Sequence, residues 1–263
     1  MTGPAPGPFA RSRPRRPGPG DPLRAGPLRT VAVLADDGGP CRVLLARTDR
    51  GRALTVKAVR PEYAALDGFR AGLRVALGAA GAVAHPGLAE WTGGRADEDP
   101  PWIASAHLPG LGLAEAVTAA GPLPEPVLRS LAAGLLATLG VVHAAGAAHL
   151  ALTPGNVLLT AAGPVLLDLG CSVRAVVEGS GAAAAETLGR PGPVPPAAAF
   201  RAPEAGPGGR AGPEADLYAL GALLVWAATG RPYPGRGPTG SPARPAGGAG
   251  PRRRRGAVWQ REG

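Results

Sequence analysis

Two short apolar runs, Val157-Leu158-Leu159 and Leu166-Leu167, each meet one polar residue at a turn, and they constrain this chain more than any other feature. Asn156 stands where the loop 148–155 enters the first run. Asp168 stands where the second run leaves into Leu169-Gly170. Runs this short, one entered from a Pro-Gly-Asn turn and one ending in Asp-x-Gly, read as buried strands. That arrangement puts a carboxylate at one strand exit and an amide oxygen at the neighbouring strand entry. A converging pair of hard oxygens suits Mg²⁺.

Composition gives these residues more weight. Of 28 Lys+Arg residues only Lys57 is a lysine, and Asn156 is the only asparagine. The abundance of Ala, Gly, Pro and Arg reads as GC bias in the coding DNA, which removes Lys and Asn. The survivors therefore point to positions where the residue type matters. The formal charge of +9 is unevenly spread. Residues 1–30 hold six Arg against Asp21, and residues 231–263 hold eight Arg against Glu262, so the stretch between them is mildly acidic. The run Arg252-Arg253-Arg254-Arg255 would suit nucleic acid or anionic lipid. A solvated tail with the same GC-biased composition is expected instead. Two cysteines, Cys41 and Cys171, make neither a disulfide framework nor a metal cluster. A cytoplasmic setting is expected. No signal peptide is read at the N-terminus. The longest apolar run, 217–229, is too short to span a bilayer, so no transmembrane segment is expected.

At 263 residues the chain holds one large domain or two small ones. Residues 1–25 and 236–263 are Pro, Gly and Arg-rich and read as disordered tails. Between them, 30–34, 41–46 and 53–59 alternate as strands of an antiparallel meander, with turns at Asp36–Pro40 and Asp49–Gly51. Residues 63–77 have helical spacing in Phe69, Leu73 and Leu77. Residues 88–92 and 102–108 read as two further strands. After Pro109-Gly110 the chain turns helical, over 113–119, 125–144 and 216–229. The fold class is α+β: a small antiparallel-sheet lobe with one helix (26–106), then a helical lobe (109–235).

This layout and its motifs resemble the protein kinase family. The motifs are His85-Pro86, Pro109-Gly110, His149 to Leu159, Asp168-Leu169-Gly170, Ala202-Pro203-Glu204 and Asp216-Leu217-Tyr218-Ala219-Leu220-Gly221. The detail is similar to bacterial serine/threonine kinases of high-GC Gram-positive organisms. The resemblance covers 26–235 and implies a bilobal fold whose helical lobe is truncated. It also implies an ATP and Mg²⁺ site. Lys57 would hold the α- and β-phosphates, and Asn156 and Asp168 would be the metal ligands. Gly38, Val43, Leu108 and Leu158 would line the nucleotide. Asp216 would tie down the backbone of the catalytic loop.

The departures from the family pattern matter as much. Ala151 stands where the family has its catalytic Asp, Thr153 where it has a catalytic-loop Lys, and Leu150 where it has a phosphate-receiving Arg. Ala197 takes the place of a threonine that bonds the base. Gly72 stands where a helix Glu would pair with Lys57. Gly38 alone remains of the glycine-rich loop, and Asp36 is expected to set a negative charge near the triphosphate. Both ATP and Mg²⁺ are therefore expected to bind weakly. The implied function is a pseudokinase with little or no phosphoryl transfer, acting by binding a protein partner, with the 216–229 helix as the expected surface. The alternatives are an active atypical serine/threonine kinase, marked by autophosphorylation at Ser172, Ser180 or Thr187, and a truncated fragment without function.

Overall fold

The computed structural model describes residues 14–36, 40–81, 83–169, 198–205, 211–231 and 233. All of these belong to one compact unit, Met1–Tyr233; residues 234–263 lie outside the described residues.

The first lobe is a twisted antiparallel sheet in the order β1-β2-β3-β4-β6-β5. Its strands are β1 (Arg24–Ala25), β2 (Leu28–Ala35), β3 (Cys41–Arg47), β4 (Ala53–Val59), β5 (Trp91–Arg95) and β6 (Trp102–Ala106). Period-two alternation sorts its side chains between two faces. One face carries Leu44, Ala46, Leu54, Val56, Ala58, Trp102 and Ala104 into a core of their own. The other face carries Val43, Lys57 and Ile103, which lie opposite one another in register. Ile103 on that face packs with Phe69 and Leu73 of helix α2 (Phe69–Ala80).

The single helix expected over 63–77 is two. A short α1 (Pro61–Ala64) ends in a turn, and α2 starts only at Phe69. Gly68, at φ +73°, reverses the chain between them, a backbone state that glycine reaches without strain. Arg70 Nη1 then donates to the Ala96 carbonyl at 2.6 Å, and Arg74 Nη2 to Asp97 at 2.7 Å, so α2 is pinned to the β5–β6 turn. The strand expected at 88–92 begins at Trp91 instead. Leu88 forms an isolated parallel bridge with Leu166, joining the two lobes.

The expected disordered tail, 1–25, needs the larger correction. From Pro14 onward the segment is ordered, while residues 1–13 lie outside the described residues. Arg15 exchanges two backbone hydrogen bonds with Val33, at 3.0 and 2.8 Å, and β1 pairs with β2. The edge of β2 offers unpaired N–H and C=O groups, and these outweigh the local preference of a Pro/Gly-rich sequence for disorder.

The second lobe is built on α4 (Glu125–Ala144) and α5 (Pro213–Thr229), with α3 (Leu113–Ala120) beside them. Leu131, Leu135, Leu139 and Val142 from α4 share a core with Leu220, Leu223 and Trp226 from α5. By length and composition alone α4 is apolar enough to cross a membrane, a test that a core helix also passes, and here its buried face packs in the core of the lobe. Strands β7 (Leu111–Gly112), β8 (Val157–Thr160) and β9 (Gly163–Leu166) form a small sheet at the lobe junction. Gly110 is needed there: a Cβ would sit 2.7 Å from the Leu159 carbonyl oxygen.

Candidate functional site

The β8–β9 hairpin sets the geometry. Val157 lies opposite Leu166, and the Leu167 N–H donates to the Asn156 carbonyl at 2.9 Å. Asn156 and Asp168 are thus brought to the same end of the hairpin. Asp168 adopts φ +68°, a left-handed state that Asp tolerates better than most residues, and its carboxylate turns toward the first lobe. There it accepts a hydrogen bond and ion pair from the Lys57 ammonium. These residues are 111 positions apart in the chain. Helix α2 carries no acid, so the carboxylate that meets Lys57 comes from the opposite lobe.

Asn156 Nδ2 donates to the Ala151 carbonyl at 2.8 Å, which orients the amide. One carboxylate and one amide match a metal held mainly through phosphate oxygens, as Mg²⁺ usually is. Among the described residues no cluster of three His, Cys, Asp or Glu could hold an ion on its own. The residues present therefore fit a metal that arrives with a polyphosphate.

The other expected nucleotide residues are placed as follows. Val43 lies opposite Lys57 on the same sheet face. Leu108 is half-buried just after β6, in the link between lobes, and Leu158 is buried in β8 opposite Gly112. Gly38 lies outside the described residues, as do Ala197, Ser172, Ser180 and Thr187.

The loop 149–153 is held from beneath by Asp216, which is fully buried at the start of α5. Its Oδ2 accepts the His149 N–H at 2.7 Å and its Oδ1 accepts the Leu150 N–H at 2.7 Å. His143 Nε2, at the end of α4, lies 2.9 Å from Oδ2 and donates to it. Sequence reasoning missed His143. Its signal was faint: a histidine in the last turn of a helix, 73 residues from its partner. Leu150 is held at φ +58°, an unfavourable state for a leucine, and the bond to Asp216 secures it.

His149 is buried, as expected of a packing residue. Its Nε2 donates to the Leu167 carbonyl at 2.8 Å, while Nδ1 accepts the Ala151 N–H at 3.3 Å. Both nitrogens are occupied, so the ring is a neutral strut rather than a base. Burial pushes its pKa below the ordinary 6.5, and the opposing attraction of Asp216 is the smaller effect. A histidine depressed in the folded state favours unfolding wherever the unfolded chain takes up a proton that the folded chain refuses. Stability is therefore full above pH 6.5 and declines as the pH falls below it. The limiting slope is about 1.4 kcal/mol per pH unit. Urea denaturation at pH 8, 7, 6 and 5 checks this. The decline should be shallower in His149→Gln, and equal slopes in both proteins would rule out His149 as its source.

No protein-family model matches the chain. The sequence is 39% identical over 213 residues to a probable serine/threonine-protein kinase, PkwA, of Thermomonospora curvata; the match covers 81% of this chain and 28% of that protein. It is 36% identical over 217 residues to the serine/threonine-protein kinase AfsK of Streptomyces coelicolor, covering 81% and 26%. The chain thus spans just over a quarter of the length of these relatives. In fold it is similar to the crystal structure of the Mycobacterium tuberculosis PknI kinase domain, with TM-score 0.62 at 23% identity, over 83% of this chain and 79% of that one. It is also similar to Rad53 1–466 in complex with AMP-PNP, with TM-score 0.55 at 19% identity, over 78% and 49%. Sequence and fold agree that the chain carries a protein kinase domain of the bacterial serine/threonine kinase family.

Proposed function

We propose that this domain is a pseudokinase: a kinase fold that binds a nucleotide weakly, transfers little or no phosphate, and acts by binding. One observation carries the reading. Ala151, whose methyl cannot accept a proton, stands in the catalytic loop within a backbone fixed by His149 and Asn156. Loss of a positioned base lowers a rate by roughly 10²–10⁴. Nucleotide binding is supported by the Lys57–Asp168 contact, by Asn156 at the same end of the β8–β9 hairpin, and by the AMP-PNP held in the similar Rad53 structure. Weak binding follows from the Lys57–Asp168 pair, since a metal–nucleotide complex must first separate it. A cytoplasmic setting belongs to the same reading.

The test is thermal melting with and without ATP and Mg²⁺, beside a γ-³²P transfer assay. At ten times the dissociation constant, ligand stabilises by about 1.4 kcal/mol. The expected result is a raised melting temperature that is lost in Lys57→Ala, with transfer at background. Turnover that vanishes in Asp168→Ala would instead establish an active atypical kinase. The Lys57, Asn156 and Asp168 geometry favours that as the second reading, because phosphoryl transfer depends largely on positioning.

A further inference from the structure

Asp36 follows directly on the end of β2 at Ala35, at the position where the family resemblance calls for a glycine-rich loop over the phosphates. Ala35 lies opposite Val43, and Val43 lies opposite Lys57. With about 4.8 Å between neighbouring strands, the Asp36 and Lys57 backbones are roughly 10 Å apart. The Debye length at physiological salt is about 8 Å. At the backbone separation the charge is largely screened; only a carboxylate projecting from Asp36 toward Lys57 comes within that length and repels a polyphosphate held there.

Its partners lie on the other side. Arg42 alternates with Val43, so it points to the face opposite Lys57. Arg42 Nε lies 3.4 Å from Asp36 Oδ2, and the Arg60 guanidinium donates to Oδ1. Arg15 Nη2 donates to Oδ2 at 3.2 Å. Arg15 comes from the N-terminal segment, which is itself built around a buried carboxylate. Asp21, with its side chain only 4% exposed, accepts Arg15 Nη1 at 2.5 Å and the Gly18 N–H at 2.8 Å. Arg42 Nη1 donates to the Gly20 carbonyl at 2.7 Å, and Thr30 Oγ1 to the Pro22 carbonyl at 2.7 Å.

We propose that residues 14–25 are a strap that serves the nucleotide site. Through Arg15, and together with Arg42 and Arg60, the strap holds the Asp36 carboxylate on the outer face of the sheet and so keeps a repelling charge away from the triphosphate. This rests on the nucleotide-binding reading above. Arg15 is a positioning residue: it acts through Asp36 and touches no phosphate.

The test measures the affinity of the full chain for Mg·ATP and for adenosine in wild type, Arg15→Gln, Asp36→Asn and the double variant. Arg15→Gln should weaken Mg·ATP about two- to tenfold, more at low salt, and leave uncharged adenosine unchanged. The loss should vanish when Asp36→Asn is also present. Asp21→Asn, which loosens both Arg15 and Arg42 without touching Asp36, should give a loss of the same kind and serves if Arg15→Gln folds poorly. Equal losses for ATP and adenosine, or a loss that persists beside Asp36→Asn, would overturn the strap's role. Wild-type binding that none of these variants alters overturns this inference alone. A wild type that binds neither ligand overturns it together with the nucleotide reading.

Discussion

Asp216→Ala is expected to lower the melting temperature by about 10 °C or more. The carboxylate accepts from two backbone N–H groups and from His143, and it has no solvent to share them with. Truncation leaves those donors unpaired, at about 1–3 kcal/mol for each one that stays buried. The loop holding Leu150 at φ +58° also loses the bond that keeps it there. The total, about 3–5 kcal/mol, is a large part of the 5–15 kcal/mol that separates a typical folded domain from its unfolded state. Asp216→Asn keeps one acceptor oxygen and should fall between alanine and wild type. Calorimetry or circular dichroism checks the order. An alanine variant that melts within about 2 °C of wild type would mean the loop is held by other means.

Ala151→Asp should raise phosphoryl transfer by roughly 10²–10⁴ over the wild-type background. The backbone at this position is already bonded on both sides, by the Ala151 N–H to His149 and by the Ala151 carbonyl to Asn156. A new carboxylate would therefore be presented from a set position rather than from a loose loop. Thr153→Lys, added to it, supplies a charge toward the transferring phosphoryl and should raise the rate further. Asp168→Ala should abolish the gain in either background. If Ala151→Asp binds Mg·ATP as wild type does yet transfers nothing, the missing base is not what limits this domain, and the lost helix carboxylate at Gly72 becomes the main suspect.

Some of this was legible in the linear sequence because the signals are local. Helix α4 runs over Glu125–Ala144, the range its apolar spacing predicts, since its buried face repeats within a few turns. Strands β3 and β4 stand within a residue of their expected bounds, because alternation and the Asp49–Gly51 turn are short-range features. The α1–α2 break was not legible, because apolar spacing carries on through Gly68 and hides its reversal. Asp36 was expected to face the phosphates because arginines at positions 15, 42 and 60 show no relation to it along the chain. Pro/Gly-rich composition likewise suggested disorder at 14–25, where an open strand edge and a buried Asp21 supply the order.

The amino-acid sequence alone determined the order of elements, the kinase resemblance, and the chemistry present or missing at 57, 151, 156 and 168, since each depends on residue type and short spacing. Only the tertiary structure decided which charges meet: Lys57 with Asp168, Asp36 with three arginines, Asp216 with His143 and the loop it supports. Those pairings depend on strand register and on elements brought together from 6 to 111 residues apart, and no local preference of the chain encodes them.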